Sequence, residues 1–219
     1  ESLAAISRAI AAHMHPGLLI IHGAGSCGHP EAKRFGIVER GLDPENTAGV
    51  YQTHRSVARL NAGVVACLRS AGIEAVGIHA LSGSVARNGR LDSFAVEPIR
   101  IMLARGIVPV LHGDVVMDIE RGATIVSGDQ LLAYVARALG ATRVGVATDV
   151  AGVLDGGRVI PKIGPATAKS LPIGNSSHID VTGGMRGKVQ ELLRLAEDGV
   201  DSHIFHAARI GDFLSGTDH

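Results

Sequence analysis

Apolar positions along this chain recur in two periods, and the alternation between them outlines the architecture. Leu3, Ile6, Ile10 and Met14 fall three to four residues apart in ESLAAISRAIAAHM and predict a helix over Ser2 to His13. The unbroken run LLIIH predicts a buried strand over Leu18–His22, and after the polar loop GLDPENTAG a long amphipathic helix is expected over Thr47 to Ser70. A strand at Glu74–Ile78, a helix near Phe94–Ala104 and the strand IVPVL at Ile107–Leu111 follow. VVMDI and ATIVS read as a short hairpin, Asp129–Leu139 as a helix and Arg143–Thr148 as a further strand. The helix GGMRGKVQELLRLAEDG and the strand Ser202–His206 complete the series.

Short β-branched strands separated by helices predict an α/β fold, a three-layer αβα sandwich around a mostly parallel open sheet. No repeat or long linker interrupts the pattern. The expected organisation is one domain over residues 1–219, with approximate lobes 1–130 and 131–219.

Composition narrows the class. With 219 residues and 46% hydrophobic side chains, the chain is long enough to bury a sizeable core. Twenty-one basic residues balance 21 acidic ones, so no broad field favours nucleic acid or an anionic membrane. An anion site must be built locally. The two cysteines, Cys27 and Cys67, form no disulfide framework and fit a reducing cytosol, so a cytoplasmic protein is expected. No apolar run is long enough to span a bilayer. The chain opens at Glu1 inside a helical pattern and stops at GTDH, so both ends read as cut from a longer protein.

Candidate chemistry gathers in three glycine-bearing loops placed where strands give way to helices, the positions at which ligands collect in such sheets. The first, GAGSCG, spells G-x-G-x-x-G. A dinucleotide site also wants an acidic residue ending a second strand about 20 positions on. Asp43 and Glu45 lie instead in a proline-containing loop, and Pro30 sits badly for an immediate helix. A phosphate cradle asks for less: Gly23, Ala24 and Gly25 let backbone N–H groups approach an anion, and Ser26 adds a hydroxyl. His29 is then either a surface-loop histidine or a phosphate ligand.

The second loop is SGDQ. Asp129 enters the first turn of a helix, either stabilised there by the dipole or held between cationic groups that it orients. In the third, DVTGGMRGK, Asp180 and Thr182 can cap a helix starting near Gly183, and Lys188 is either a solvated lysine or a point charge for a phosphate. TDVAG places Thr148, Asp149 and Gly152 on a strand-end loop, where Asp149 also suits a turn cap. His13/His15 and His203/His206 lack Cys or carboxylate partners at suitable spacing, and no metal-ligating set is expected.

Taken in order, HGAGSCGHP, GDVV, IVSGDQL, ATDVAGV and DVTGGMRGK resemble the amino-acid-kinase superfamily and, within it, the isopentenyl phosphate kinases, across essentially the whole chain. The resemblance implies ATP-dependent phosphorylation of isopentenyl phosphate to isopentenyl diphosphate with Mg²⁺, in a homodimer. It assigns Gly23, Ala24, Gly25, Ser26, Gly28, His29 and Gly128 to the substrate, and Thr148, Asp149, Gly152, Asp180, Thr182, Gly183, Gly184 and Lys188 to the nucleotide. His29, Lys188 and Asp129 carry the catalytic roles. Fosfomycin kinases share the loop and histidine and remain the nearest alternative, followed by a non-catalytic sensor on the same fold. The isoprenyl tail is expected against Val50, Tyr51, His54 and Val57, residues that suit plain core packing equally well. Two departures stand out: Cys27 replaces a phenylalanine, and the family's opening strand with K-x-G-G-S has no counterpart, as expected of a partial sequence.

Overall fold

The periodic segments form close to where their spacing places them. A computed structural model describes residues 2–155, 158–164, 168 and 184–217, with Ser26 and His29 described by their backbone alone. The chain runs through helix α1 (Leu3–Ala12), strand β1 (Ile20–His22), α2 (Gly25–Arg34), α3 (Ile37–Arg40) and the long α4 (Ala48–Ser70). It continues through β2 (Ala75–His79), α5 (Ala80–Gly83), β3 (Ser84–Arg87), β4 (Arg90–Phe94), α6 (Glu97–Ala104) and β5 (Val108–His112). Next come β6 (Asp114–Asp118), β7 (Gly122–Val126), α7 (Gly128–Leu139), β8 (Val144–Thr148), β9 (Leu154–Asp155) and β10 (Arg158–Val159). The described elements end with α8 (Gly184–Glu197), β11 (Ser202–His206) and α9 (Ile210–Ser215). Among them no helix is long and apolar enough to cross a membrane. The class is α/β, with its strand-to-strand pairings mostly parallel between helices, as the sequence pattern implies.

The chain divides into two compact units, residues 16–135 and residues 1–15 with 136–219. In the first, β5 is buried throughout and sits between β1 and β2, both parallel to it. That central place accounts for its unbroken apolar run VPVL. The register sets His22 beside His112 and His112 beside His79 at the carboxyl ends of the three strands. A second sheet, β4–β3–β6–β7, is built on two antiparallel hairpins.

Helix α4 buries Gly49, Thr53, Val57, Asn61, Val64 and Leu68, a stripe at three- and four-residue spacing. Burying Val57, Val64 and Leu68 contributes about 1.5–3 kcal/mol each. Gly49 is required by packing, because a Cβ there would lie 2.5 Å from the Cβ of Phe35.

Three expectations need correction. A helix does follow the first glycine loop at once: α2 starts at Gly25 and carries Pro30 inside it. Pro30 is its sixth residue, so only the bond to the Ser26 carbonyl is lost, and packing of α2 on α4 makes the helix stable. The helix expected from Phe94 begins only at Glu97, because Phe94 is the buried last residue of β4, paired with Ser84. The hairpin β3–β4 was absent from the expected elements although its turn is Asn88-Gly89, with φ of 47° and 82°. Asp118 holds that turn by accepting N–H bonds from Asn88 and Gly89, and it accepts two more from Glu120 and Arg121. Burial pushes its pKa up, but these four donors outweigh that and hold it below the usual carboxylate value.

In the second unit β8 and β11 pair in parallel over five residues, and β9–β10 form a short antiparallel ribbon. Helix α8 buries Val189, Leu192 and Leu195, while α1 packs with α9. Phe205 and Phe213 stack with centroids 5.0 Å apart, and Gly145 makes room for Phe213, whose ring a Cβ would meet at 2.5 Å.

Candidate active site

The first glycine loop is shaped for an anion by its backbone. Strand β1 ends at His22, Gly23 follows, and Ala24 is right-handed (φ −75°, ψ −22°) while Gly25 is left-handed (φ 51°). Successive N–H groups in an αR–αL pair converge into a concave nest with partial positive charge. The nest opens directly into α2, whose first-turn N–H groups have no intrahelical acceptor and whose dipole adds to the same field. A Cβ on Gly23 or Gly25 would meet nothing within 4 Å, so backbone there is approachable. Ser26 and His29 lie in the opening turns of α2. Gly28 is buried against α4: a Cβ would come within 2.6 Å of Val57 Cγ1 and 2.9 Å of Ala24 Cβ. Cys27 is exposed.

A second loop closes on the first. A Cβ on Gly128 would lie 3.1 Å from the His22 carbonyl oxygen and 3.5 Å from the Gly23 nitrogen. One on Gly113 would lie 2.9 Å from the Gly128 nitrogen. Gly113 and Gly128 therefore let the ends of β1 and β5 and the start of α7 touch backbone to backbone. Ser127 caps α7 by accepting the Gln130 N–H at 3.2 Å, while Gln130 Oε1 accepts the Leu91 N–H. Asp129 stands half-buried in the first turn of that helix. Asp43, by contrast, accepts the N–H groups of Glu45 and Asn46 in a turn and pairs with Arg40 at 3.4 Å, so its carboxylate is engaged locally rather than placed at a strand end as a ribose ligand.

Beside these loops lies a group of histidines that motif reading passed over. His79 Nδ1–H donates to His112 Nε2 at 2.8 Å, and His112 Nδ1–H donates to the Gly113 carbonyl at 3.0 Å. The His22 and His112 rings stack with centroids 5.6 Å apart. His54, on α4, donates from Nδ1 to Asp114 Oδ2 at 2.9 Å, and Val115 N–H donates to the other carboxylate oxygen. His112 is fully buried, and that burial, aided by neighbouring imidazoles, pushes its pKa down to about 4. Burial and the nearby His54 lower His79 as well. Burial pushes Asp114 up to about 6 against the pull of His54 and two backbone N–H groups. The signal in the sequence was positional but incomplete: the observed strands end at His22, His79 and His112, whereas the expected ones ended at His22, Ile78 and Leu111.

The α4 residues expected to hold an apolar tail serve other contacts. Val57 fills the space beside Gly28, Val50 packs on the Ile37–Val115–Ala123 cluster, His54 is engaged with Asp114, and Tyr51 is exposed.

In the unit of residues 1–15 and 136–219, Thr148 ends β8 and closes a tight turn with Val150, accepting its N–H and donating to its carbonyl. Asp149 is exposed in that turn. Gly152 is buried, with room for a Cβ only 3.0 Å from Val159 Cγ1. Helix α8 opens at Gly184 with φ of 51°, the same left-handed start as α2, and carries Lys188 one turn later in a half-buried position. Asp180, Thr182 and Gly183 lie outside the described residues. Among the described residues no group of three or more His, Cys, Asp or Glu could hold a metal ion.

Comparison with known proteins adds the chemical context. The model of the amino acid kinase family matches residues 1–206. The isopentenyl phosphate kinase of Haloferax volcanii is 39% identical over 183 residues, which cover 81% of this chain and 73% of that protein. The enzyme of the same name from Methanothermobacter thermautotrophicus is 38% identical, with 89% and 78% covered. A solved isopentenyl phosphate kinase structure superposes with a TM-score of 0.81 at 33% identity, covering 99% of this chain and 87% of that one.

Proposed function

This chain belongs to the amino acid kinase family, and from that premise we propose that it transfers the γ-phosphoryl group of ATP to isopentenyl phosphate, giving isopentenyl diphosphate and ADP. The observation that carries the reading is the αR–αL nest at Ala24–Gly25, open to solvent and seated at the carboxyl end of a parallel strand. It occurs in a chain more than a third identical to enzymes of that name.

The acceptor is a phosphate monoester and brings its own anionic oxygen, so no strong base is needed. The obstacle is repulsion between two polyanions. Catalysis therefore rests on alignment and on neutralising charge. On this reading, the N–H groups of Gly23, Ala24 and Gly25, the Ser26 hydroxyl and His29 hold the acceptor phosphate, with Gly28 and Gly128 giving the close packing around it. Thr148, Asp149, Gly152, Asp180, Thr182, Gly183, Gly184 and Lys188 hold the nucleotide, and Asp129 orients the cationic groups. The lobe division near residue 130 separates these two roles.

We assign Mg²⁺ to the nucleotide rather than to a cage of side chains. Magnesium on ATP is held mainly by phosphate oxygens and water with one or two carboxylates. When bound, the ion would neutralise charge on the phosphates. A homodimer working in the cytoplasm completes the proposal.

His29→Ala tests the site. Losing one well-placed donor costs about 2.7–4 kcal/mol in the barrier, so kcat/KM should fall by about two to three orders of magnitude. The circular dichroism spectrum should not change. A variant with near-normal kcat/KM would remove His29 from the mechanism.

A further inference from the structure

We propose that His22 is a positioning residue for the acceptor site: its ring holds the Gly23 carbonyl and so aims the Ala24 N–H, on the opposite side of that peptide, into the anion nest. The proposal rests on the reading of Ala24–Gly25 as the phosphate site. It adds a side chain that the motif assigns to nothing.

The argument is stereochemical. In a trans peptide the C=O and N–H point to opposite sides of the chain. The Gly23 carbonyl accepts a hydrogen bond from His22 Nδ1–H at 2.9 Å. The N–H of the same peptide belongs to Ala24 and faces the other way. Glycine alone does not fix that orientation, since without a Cβ its peptide rotates through a wide range, and the space where a Gly23 Cβ would stand is empty. The clamp supplies the missing constraint.

The ring itself is held from two further directions. Its Nε2 lies 3.1 Å from Asn61 Oδ1, and Asn61 is buried. Its face stacks on His112 with 23° between the planes. The neighbouring strand repeats the device: His112, in register with His22, donates from Nδ1 to the carbonyl of its own following glycine, Gly113. Gly113 in turn lies against the nitrogen of Gly128, at the start of α7. His79 on the third strand donates to His112 and fixes which of its nitrogens carries the proton. The low pKa of His112 agrees with a ring that stays neutral in this role. The sequence carries the device as two His-Gly doublets, HGAG and HGDV, at the ends of adjacent parallel strands.

A structural role for the ring and a clamp through Nδ1 separate by substitution. The amide nitrogen of asparagine sits close to the place of Nδ1, whereas that of glutamine reaches the place of Nε2. Binding of inorganic phosphate is followed by the backbone amide shifts of Ala24 and Gly25 in the wild type, His22→Asn and His22→Gln, with melting temperature alongside. We expect the Ala24 amide to shift in the wild type, and His22→Asn to bind phosphate within about twofold of it. His22→Gln should bind about tenfold more weakly, the upper range for one neutral hydrogen bond. Equal binding by all three overturns the clamp. So does an equal loss in both variants, which would mark the ring as packing alone, or a wild-type Ala24 amide that ignores phosphate. Asn61→Ala, which frees the far nitrogen of the ring, reads the same device independently: weaker phosphate binding supports it and unchanged binding contradicts it. Turnover of isopentenyl phosphate is assayed separately on the wild type, so an error in the assigned substrate leaves the phosphate result standing.

Discussion

Two carboxylates, one in each unit, pair with a nitrogen base in very different surroundings. Asp114 has a fully buried side chain and takes a 2.9 Å bond from His54, whose side chain is 25% exposed. Asp198 is 41% exposed and takes a 2.6 Å bond from Arg137, itself 53% exposed. By distance alone the second pair is the stronger. Solvent reverses that order, because water and salt screen Arg137–Asp198 and nothing comparable screens Asp114. The unit of residues 16–135 thus fixes polar groups in its interior beside the glycine loops. The exposed pair decorates a surface and holds little in place.

The largest expected effect breaks the buried pair. Asp114→Ala leaves His54 Nδ1–H, Leu81 N–H and Val115 N–H without their acceptor, and a loss of about 3–5 kcal/mol in urea unfolding at neutral pH is expected. A loss below about 1 kcal/mol would mean that water replaces the carboxylate and the site is less dry than its burial implies.

An intermediate effect lies in the pH dependence. Asp114 holds its proton more tightly folded, at about 6, than at its ordinary value of 3.8. Its contribution to stability is therefore present at low pH and lost as pH rises through about 6. His112 has the opposite sign, about 4 folded against 6.5 unfolded, so its contribution is present above 6.5 and lost as pH falls through about 4. His79, also lowered, adds to the sense of His112. In the wild type these slopes oppose each other across the same window. Asp114→Asn should leave stability falling more steeply on acidification, and His112→Asn should leave it falling as pH rises from about 4 to 6. Urea midpoints across that window check both signs, and identical slopes in the two variants would refute the opposition.

The smallest effect concerns the exposed pair. Asp198→Ala should cost no more than about 1 kcal/mol, and half-molar salt should erase most of it. A larger, salt-independent loss would make Arg137–Asp198 a structural pair and dissolve the contrast.

The sequence was legible wherever one period dominated. The stripe Val57, Val64, Leu68 on α4 and the run VPVL in β5 each had a single reading, and the SGDQ cap formed as its residue types dictate. What escaped depended on contacts between distant segments. Pro30 argued locally against a helix that packing on α4 makes stable. Gly28 sits in a phosphate-like motif, yet its nearest constraint is Val57, 29 residues away in sequence. The row His22–His112–His79 draws one residue from each of three strands, and only the register of β1, β5 and β2 reveals it.

The most direct test of the central claim is a coupled ADP-release assay on the full-length gene product with Mg-ATP, offering isopentenyl phosphate and fosfomycin in parallel. Selective turnover of isopentenyl phosphate is the predicted result. ADP release with fosfomycin alone, or with neither acceptor, would contradict the assignment.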